Sequence, residues 1–378
     1  MSISPSDRLF LRQAIELAER GRFTCAPNPC VGCVIVRDGE VIGRGYHQRA
    51  GQGHAEVNAM ADAQHKGHDI TGATVYVSLE PCAFVGRTPA CANTLVEAGV
   101  ARVVSALTDP HPQVAGSGLD LLRNAGVEVV ETQDLDAANL ITGYVKRVTQ
   151  GLPWVRIKTA TSLDGGIAMA SGESQWITGP EARQDVQYWR ARSDAIITGI
   201  GTVLEDNPSL TVRDPELLPF DQPLRVVLDR QLRTPADATL VQDEYATLLV
   251  HDAATVVPDG LSQGTNLQFL AVEHEHGDGS EQTLDVLLRY LAQNDCNEVL
   301  VEAGAGVVGS FVAADMWDEW LSYLAPKWLG RSSQRVVGFD PDQLADAPYG
   351  RIVDTQQLGD DLRLTIVAER EMSKESSQ

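Results

Sequence analysis

The spacing of apolar positions divides the chain into alternating helical and extended stretches. Leu9, Ala14, Leu17 and Ala18 share a helical face, which predicts an amphipathic helix over residues 6–20 with Ser6 as N-cap and Gly21 as stop. Residues 31–36 are a β-branched run, Asp38 and Gly39 form a hairpin turn, and 41–46 return. His54 is expected to open a second helix running to about Lys66. Residues 74–79 read as a strand ending at Glu80, Pro81 and Cys82. Residues 91–98 read as a helix closed by Gly99, 103–107 as a strand, 119–125 as a helix closed by Gly126, and 127–130 as a strand. A helix near 135–149, then Gly151 and Pro153, puts a domain boundary at about 150.

Beyond that boundary the rhythm restarts. Strands are expected near 155–159, 195–198, 224–228, 247–250, 267–272, 299–301, 320–324 and 362–367. Thr178, Gly179, Pro180 and Glu181 read as a capping box with proline in the first turn, opening a helix through Arg190. Helices alternating with short strands give an α/β protein with layered domains over 1–150 and 151–370. Residues 371–378 are expected to be a disordered tail.

Composition fits two cores, since 378 residues are too many for one ordinary core and 43% are apolar. Acidic residues number 52 against 30 basic, a net charge of −22. Such a surface repels nucleic acid and anionic lipid, so neither is an expected partner. A small anionic substrate would need a few local arginines to hold it against that field. The first 21 residues carry no secretory apolar segment, and no run of 18 apolar residues occurs. The expected location is the cytoplasm, with six cysteines kept reduced and free for metal.

The chemistry concentrates at His54, Cys82 and Cys91. Zinc is satisfied by one imidazole and two thiolates, with its fourth position left for water. His54 and Cys91 fall at helix starts, where the positive helix end favours a thiolate. Glu56 follows as proton shuttle, two residues after one ligand. The order His-x-Glu, then Pro-Cys, then Cys is that of zinc deaminases, but eight residues separate Cys82 from Cys91 instead of two. The residues alone leave open a structural four-ligand site, completed by Cys25, Cys30 or Cys33, and a set of unrelated buried thiols. Cys30 and Cys33 form a CxxC without a partner pair, which reads as two small apolar side chains at a strand entrance.

Longer motifs point to one family. The front half carries Pro27-Asn28-Pro29, Val31-Gly32-Cys33-Val34, Gly45-Tyr46-His47, His54-Ala55-Glu56-Val57, Glu80-Pro81-Cys82 and Gly86-Arg87-Thr88-Pro89 before Cys91. Asp109-Pro110 and Gly116 to Gly118 follow. The back half carries Lys158, Ser162-Leu163-Asp164-Gly165, Ser171 to Thr178, Gly199 to Val203, Asp206-Asn207-Pro208, Leu210 to Arg213 and Val301 to Gly304. With these, nearly the whole chain resembles the bifunctional deaminase–reductases of riboflavin biosynthesis, in which the same eight residues separate the ligand cysteines.

The resemblance implies a cytidine-deaminase-like three-layer domain followed by a dihydrofolate-reductase-like domain. It implies one Zn2+ per chain, NADPH, and a phosphoribosyl pyrimidine that is deaminated and then reduced from ribosyl to ribityl; a homo-oligomer is compatible with it. By position, Ala160, Trp176, Thr202, Asp206 and Arg230 fall on cofactor contacts. Ser174, Arg190, Leu210, Arg213 and Glu302 fall on substrate contacts, and Arg190 and Arg213 suit a phosphate. Asn28 reads either as a pyrimidine or ribose contact or as a turn asparagine between two prolines. Gly304, Ala305, Gly306, Val307, Val308, Gly309 and Ser310 follow a strand and open a helix, an expected phosphate cradle for the cofactor. Asp206 and Lys158 are the candidate acids for the reduction. The family pattern has Ser-His after Glu-Pro-Cys where this chain has Ala83 and Phe84, followed by Val85. It has a second aspartate where this chain has Asn207. The alternatives are a reductase with an impaired deaminase, or another zinc nucleoside or nucleotide deaminase.

Overall fold

Local sequence sets the first helix in place. The computed structural model describes residues 3–83, 90–112, 114–262, 266–273 and 279–369. In it α1 spans Pro5–Ala18, and Ser4, not Ser6, is the N-cap. The Ser4 hydroxyl accepts from the Asp7 N–H while the Asp7 carboxylate accepts from the Ser4 N–H, a closed capping box. Pro5 fits the first turn because it has no N–H to leave unpaired. The buried face is Leu11, Ala14, Ile15, Leu17 and Ala18, whereas Leu9 is 57% exposed. The expected face was therefore rotated by placing Leu9 on it.

The chain forms two compact units, Met1–Leu152 and Pro153–Gln378. In the first, β1 (Gly32–Arg37) and β2 (Glu40–Tyr46) make a hairpin. Asp38 and Gly39 turn it at φ 52° and 82°, the two positive values that a tight two-residue turn of matching twist requires. The strands β3 (Thr74–Val77), β4 (Arg102–Ser105) and β5 (Glu128–Glu131) complete a sheet of order β2-β1-β3-β4-β5. β1 runs antiparallel to both neighbours, and β3, β4 and β5 are parallel.

Helices cover both faces. These are α2 (Ala55–His65), α3 (Cys91–Glu97), α4 (Ser117–Asn124), α5 (Leu135–Leu140) and α6 (Thr142–Gln150). Leu11, Leu17, Val34, Val104, Leu140 and Tyr144 join α1, α5 and α6 to one face. Ile35, Ala59, Val75, Val103, Leu95 and Leu122 join α2, α3 and α4 to the other. The single helix expected near 135–149 is two: Asp134 caps α5, and Ile141 leaves the helical region at φ −121° between them.

The second unit is built on nine strands. They are β6 (Trp154–Ser162), β8 (Ala195–Gly199), β9 (Leu224–Leu228), β10 (Thr247–Asp252), β11 (Leu267–Val272), β12 (Glu298–Val301), β13 (Glu319–Ala325), β15 (Gly350–Leu358) and β16 (Asp361–Ala368). A separate pair joins β7 (Gly166–Ala168) to β14 (Gln334–Arg335). The sheet order is β11-β10-β9-β8-β12-β6-β13-β16-β15, parallel except where β16 meets its two neighbours. Parallel central strands gather their carboxyl ends on one side, which is where α/β sheets bind ligands.

Two expectations are corrected here. The helix α7 (Pro180–Arg192) starts at Pro180 with Gly179 as N-cap and no side-chain cap, so Thr178 and Glu181 form no capping box. The Gly179 N–H donates instead to the Asp361 carboxylate at 2.6 Å, a partner 182 residues away that no local pattern encodes. The edge strand β15 was not expected at all: seven of its nine residues are exposed, so it lacks the alternation that marks a half-buried strand. Among the described residues no helix is long and apolar enough to cross a membrane. Phe84, Val85, the 86–89 motif and the expected tail lie outside the described residues.

Candidate functional site

In the first unit, three separate elements bring soft donors together. His54 is the N-cap residue of α2, Cys82 follows β3, and Cys91 is the first residue of α3. Their ligand atoms all lie within 4.8 Å of one another. Cys91 Sγ is 3.3 Å and Cys82 Sγ 3.6 Å from His54 Nδ1. The Cys91 N–H donates to Cys82 Sγ at 3.3 Å, as expected for a thiolate facing a helix start. Contact with Cys91 and with His54, against burial, pulls the Cys82 thiol below its ordinary value. One nitrogen and two sulfurs at this spacing suit zinc with a position left open. Cys25, Cys30 and Cys33 are not part of this cluster, so the four-ligand alternative has no fourth protein donor among the described residues.

Packing makes that convergence rigid. A Cβ on Gly45 would sit 2.3 Å from the Ala59 nitrogen, so α2 lies directly on β2 only because residue 45 has no side chain. Behind Cys82, the buried Glu80 carboxylate accepts backbone N–H groups from Asp109, Gly116 and Gly118 at 3.0, 2.9 and 2.8 Å. This ties the strand end to the start of α4. The 109–118 motif thus acts as a brace for the Pro81–Cys82 corner, a role its sequence did not reveal.

Glu56 stands in the first turn of α2 and is 3% exposed. Burial pushes its carboxyl up to about 7, with the Cys82 charge adding to the rise. Asn28 reaches the same neighbourhood through His47. Asn28 Nδ2 is 3.0 Å from His47 Nε2, and the His47 ring lies edge-on to the His54 ring at 5.4 Å. Burial lowers the His47 pKa. His47 belonged to a recognised motif but had been given no role. Only the fold reveals it as the link between Asn28 and His54.

The second unit holds a cavity of about 590 Å³ at the carboxyl ends of β6, β8 and β12. Of the expected cofactor contacts, Ala160, Trp176, Thr202, Asp206 and Gly304 line it. Of the expected substrate contacts, Ser174, Arg190, Leu210, Arg213 and Glu302 all do. The helix Ala305–Ala313 meets the cavity only at its N-cap, Gly304. A Cβ on Gly199 would press on Val307, Val308 is fully buried, and Gly309 backs onto Gly338. The Ser310 hydroxyl donates to the Gly306 carbonyl, and Ala305 and Gly306 do not line the cavity. Arg230 also lies outside the lining, half-exposed and 3.9 Å from Asp252.

Buried charge dominates this cavity. Arg190 grips Glu302 with Nε at 2.6 Å and Nη2 at 3.0 Å, and its Nη1 donates to the Thr211 carbonyl. Lys158 Nζ is 3.8 Å from the same carboxylate. Burial works to raise the Glu302 pKa, but Arg190 and Lys158 outweigh it and hold the group charged. Burial lowers the Lys158 pKa. Arg213 differs: its guanidinium is exposed and, among the described residues, donates no hydrogen bond. At the mouth, Arg183 stacks 4.6 Å from the exposed Trp176 ring and donates to the Thr178 carbonyl. That residue carried no local signal.

Residues 4–107 match the cytidine and deoxycytidylate deaminase zinc-binding region, and residues 153–364 match the RibD C-terminal domain. The riboflavin biosynthesis protein RibD of Haemophilus influenzae is 42% identical over 377 residues, covering 97% of this chain and 98% of its own. That of Escherichia coli K12 is 43% identical over 373 residues, covering 96% and 99%. The solved structure of Acinetobacter baumannii RibD superposes with a TM-score of 0.87 at 42% identity, covering 97% of this chain and 99% of that one. A diaminohydroxyphosphoribosylaminopyrimidine deaminase/5-amino-6-(5-phosphoribosylamino)uracil reductase from Thermotoga maritima gives 0.85 at 32% identity, covering 96% and 99%. The chain therefore belongs to the RibD family of riboflavin-biosynthesis enzymes, joining a zinc-binding deaminase domain to a dihydrofolate-reductase-like reductase domain that works with a nicotinamide cofactor.

Proposed function

We propose that the chain hydrolyses the 2-amino group of 2,5-diamino-6-(5-phosphoribosylamino)pyrimidin-4(3H)-one and then reduces the ribosyl group to ribityl with NADPH. The carrying observation is the His54–Cys82–Cys91 cluster with Glu56 buried beside it. These three residues would hold one zinc ion per chain. Bound there, zinc supplies the Lewis acidity that makes water a nucleophile at neutral pH. Glu56 takes a proton from that water and delivers it to the ring nitrogen and the departing amine. Its buried carboxyl, in the first turn of the helix that His54 caps, is placed to accept and release that proton. The oxygen of water stays on C2 and ammonia leaves. Asn28 is assigned to the pyrimidine or ribose, on the strength of its bond to His47. Reduced thiols of this kind fit a cytoplasmic setting.

In the second unit a nicotinamide cofactor held in the cavity would supply the hydride that reduces the ring-opened, Schiff-base form of the substrate at C1′. Lys158 is assigned the proton that goes to nitrogen, because burial eases its release. The exposed Asp206, which accepts from Gln175, is the weaker candidate. Arg213 is assigned to the ribose phosphate, since Arg190 is already committed to Glu302. Trp176, Thr202 and Gly304 border the cofactor's share of the cavity. Arg230 is assigned to the 2′-phosphate that separates NADPH from NADH.

The test is to assay each half-reaction on the full chain carrying Glu56→Gln. Zinc should be retained and deamination should fall by about 10²–10⁴. Reduction of the deaminated intermediate should be unchanged and faster with NADPH than with NADH. Deamination at the original rate removes Glu56 as the shuttle. A wild-type chain that turns over only the deaminated intermediate would instead be a reductase with an impaired deaminase.

A further inference from the structure

The loop that carries Asn28 is bracketed by two thiols that neither half-reaction uses. Cys25 Sγ and Cys30 Sγ are 2.9 Å apart, closer than two non-bonded sulfurs ordinarily rest. The backbone brings them together: the Asn28 N–H donates to the Cys25 carbonyl at 2.9 Å, and the Cys25 N–H to the Gly21 carbonyl at 2.9 Å. The chain therefore doubles back between the two cysteines. Both lie in the apolar cluster on the α1 face of the sheet, at 2% and 8% exposure. Cys33 is fully buried in the cluster on the opposite face. The sheet thus puts Cys30 and Cys33 on opposite faces, and Cys25 is the thiol that lies against Cys30.

We propose that Cys25 and Cys30 are a redox modification site, forming a reversible disulfide across the 25–30 loop. The oxidant is a peroxide. Cys30, the more exposed thiol, attacks the O–O bond, becoming a sulfenic acid and releasing one water. Cys25 then attacks that sulfur, its proton leaves with the hydroxyl as a second water, and the S–S bond closes at about 2.0 Å. Two thiols have lost two electrons, and the peroxide has gained them. Because the sulfurs already touch, closure needs little movement of Asn28 or His47. The bond therefore staples the loop in its present form and leaves the neighbouring cluster assembled.

The test uses the zinc-loaded full chain, treated with hydrogen peroxide, alkylated and cleaved after Arg22 and Arg37. The resulting 23–37 peptide should be lighter by about 2 Da before label is counted and should carry one alkylated cysteine, with dithiothreitol restoring three. Cys33→Ala should keep the mass loss, and Cys25→Ser and Cys30→Ser should each abolish it. Oxidation should also raise the melting temperature of wild type and not of Cys25→Ser. Three alkylated cysteines after peroxide treatment would overturn the proposal. So would a mass loss that persists in Cys25→Ser, because the bond would then join Cys30 to Cys33.

Discussion

The two sites of this chain are finished to different degrees by the polypeptide. In the first unit a histidine and two cysteines converge within 4.8 Å, beside a buried carboxyl that no lysine or arginine pairs among the described residues. That arrangement asks for a cation. In the second unit the cavity already contains its own counter-charges, Glu302 held by Arg190 and Lys158. The first site is held in place by backbone: helix starts, a glycine that lets α2 lie on β2, and Glu80 collecting N–H groups. The second is held by an ion pair. Damage to the two should therefore read out differently, one as loss of metal and the other as loss of fold.

The sharpest contrast comes from Cys82→Ser. Its hydroxyl is a poor zinc ligand, so bound zinc should fall to near none, and deamination by about 10³ or more. Reduction of the deaminated intermediate should continue at its original rate. Metal analysis beside the two half-reaction assays checks this. A variant that keeps its zinc would mean that the donors are not the three named here.

Glu302→Gln should do the opposite. It leaves the partly buried Arg190 and Lys158 without their counter-ion, and breaking a buried pair costs up to about 3–5 kcal/mol. The second unit should lose that much stability in denaturant titration, together with its reductase activity. Zinc content and deamination should persist. If the variant is as stable as wild type, the cavity does not depend on this ion pair, and the contrast between the sites fails.

The same difference governs what could be read from sequence. His54, Glu56, Cys82 and Cys91 were legible because few residue types hold zinc and their motifs are short. Most strands of both units were legible because β-branched runs are local, whereas the largely exposed β15 and the short β7 and β14 were not. The Arg190–Glu302 grip was not, because its partners are 112 residues apart and each alone looks like an ordinary surface charge. In the Gly304–Ser310 stretch one glycine has a packing reason that the sequence does not show: the backbone of Gly338 lies against Gly309. Leu9 and Thr178 misled at helix starts, where an offset of one or two residues changes the cap or the buried face. Cys30 and Cys33, read as small apolar side chains, are both buried in apolar clusters, on opposite faces of the sheet.

The first unit also buries a paired carboxylate away from the chemistry. Asp7 accepts from Arg102 at 2.6 and 3.2 Å and from the Tyr76 hydroxyl at 2.8 Å. Arg102 holds its carboxyl well below the usual range. The folded pKa is depressed, so the stabilisation is present above the unfolded value of about 3.9 and is lost as pH falls below it. Asp7→Asn should cost about 2 kcal/mol at neutral pH and flatten the acid limb of the stability curve. Zinc should stay bound. An unchanged acid limb would show that Asp7 is not the group being titrated.

The smallest effect is expected where the chain departs from its family, at Asn207. This residue sits in the left-handed region at φ 41° and ψ 56°, which asparagine and aspartate tolerate better than other side chains. Its Oδ1 accepts the Thr239 N–H at 2.8 Å, at the start of the helical turn Thr239–Gln242. An aspartate oxygen would accept the same bond, so Asn207→Asp should move stability by less than about 0.5 kcal/mol. Asn207→Ala loses both the backbone tolerance and the bond, and should cost about 1–2 kcal/mol. Neither change alters the Arg190–Glu302 grip, so reductase turnover should follow stability alone. If Asn207→Asp speeds reduction several-fold at unchanged stability, the missing charge acts on substrate or cofactor, and the cavity's counter-charges are less complete than the ion pair implies.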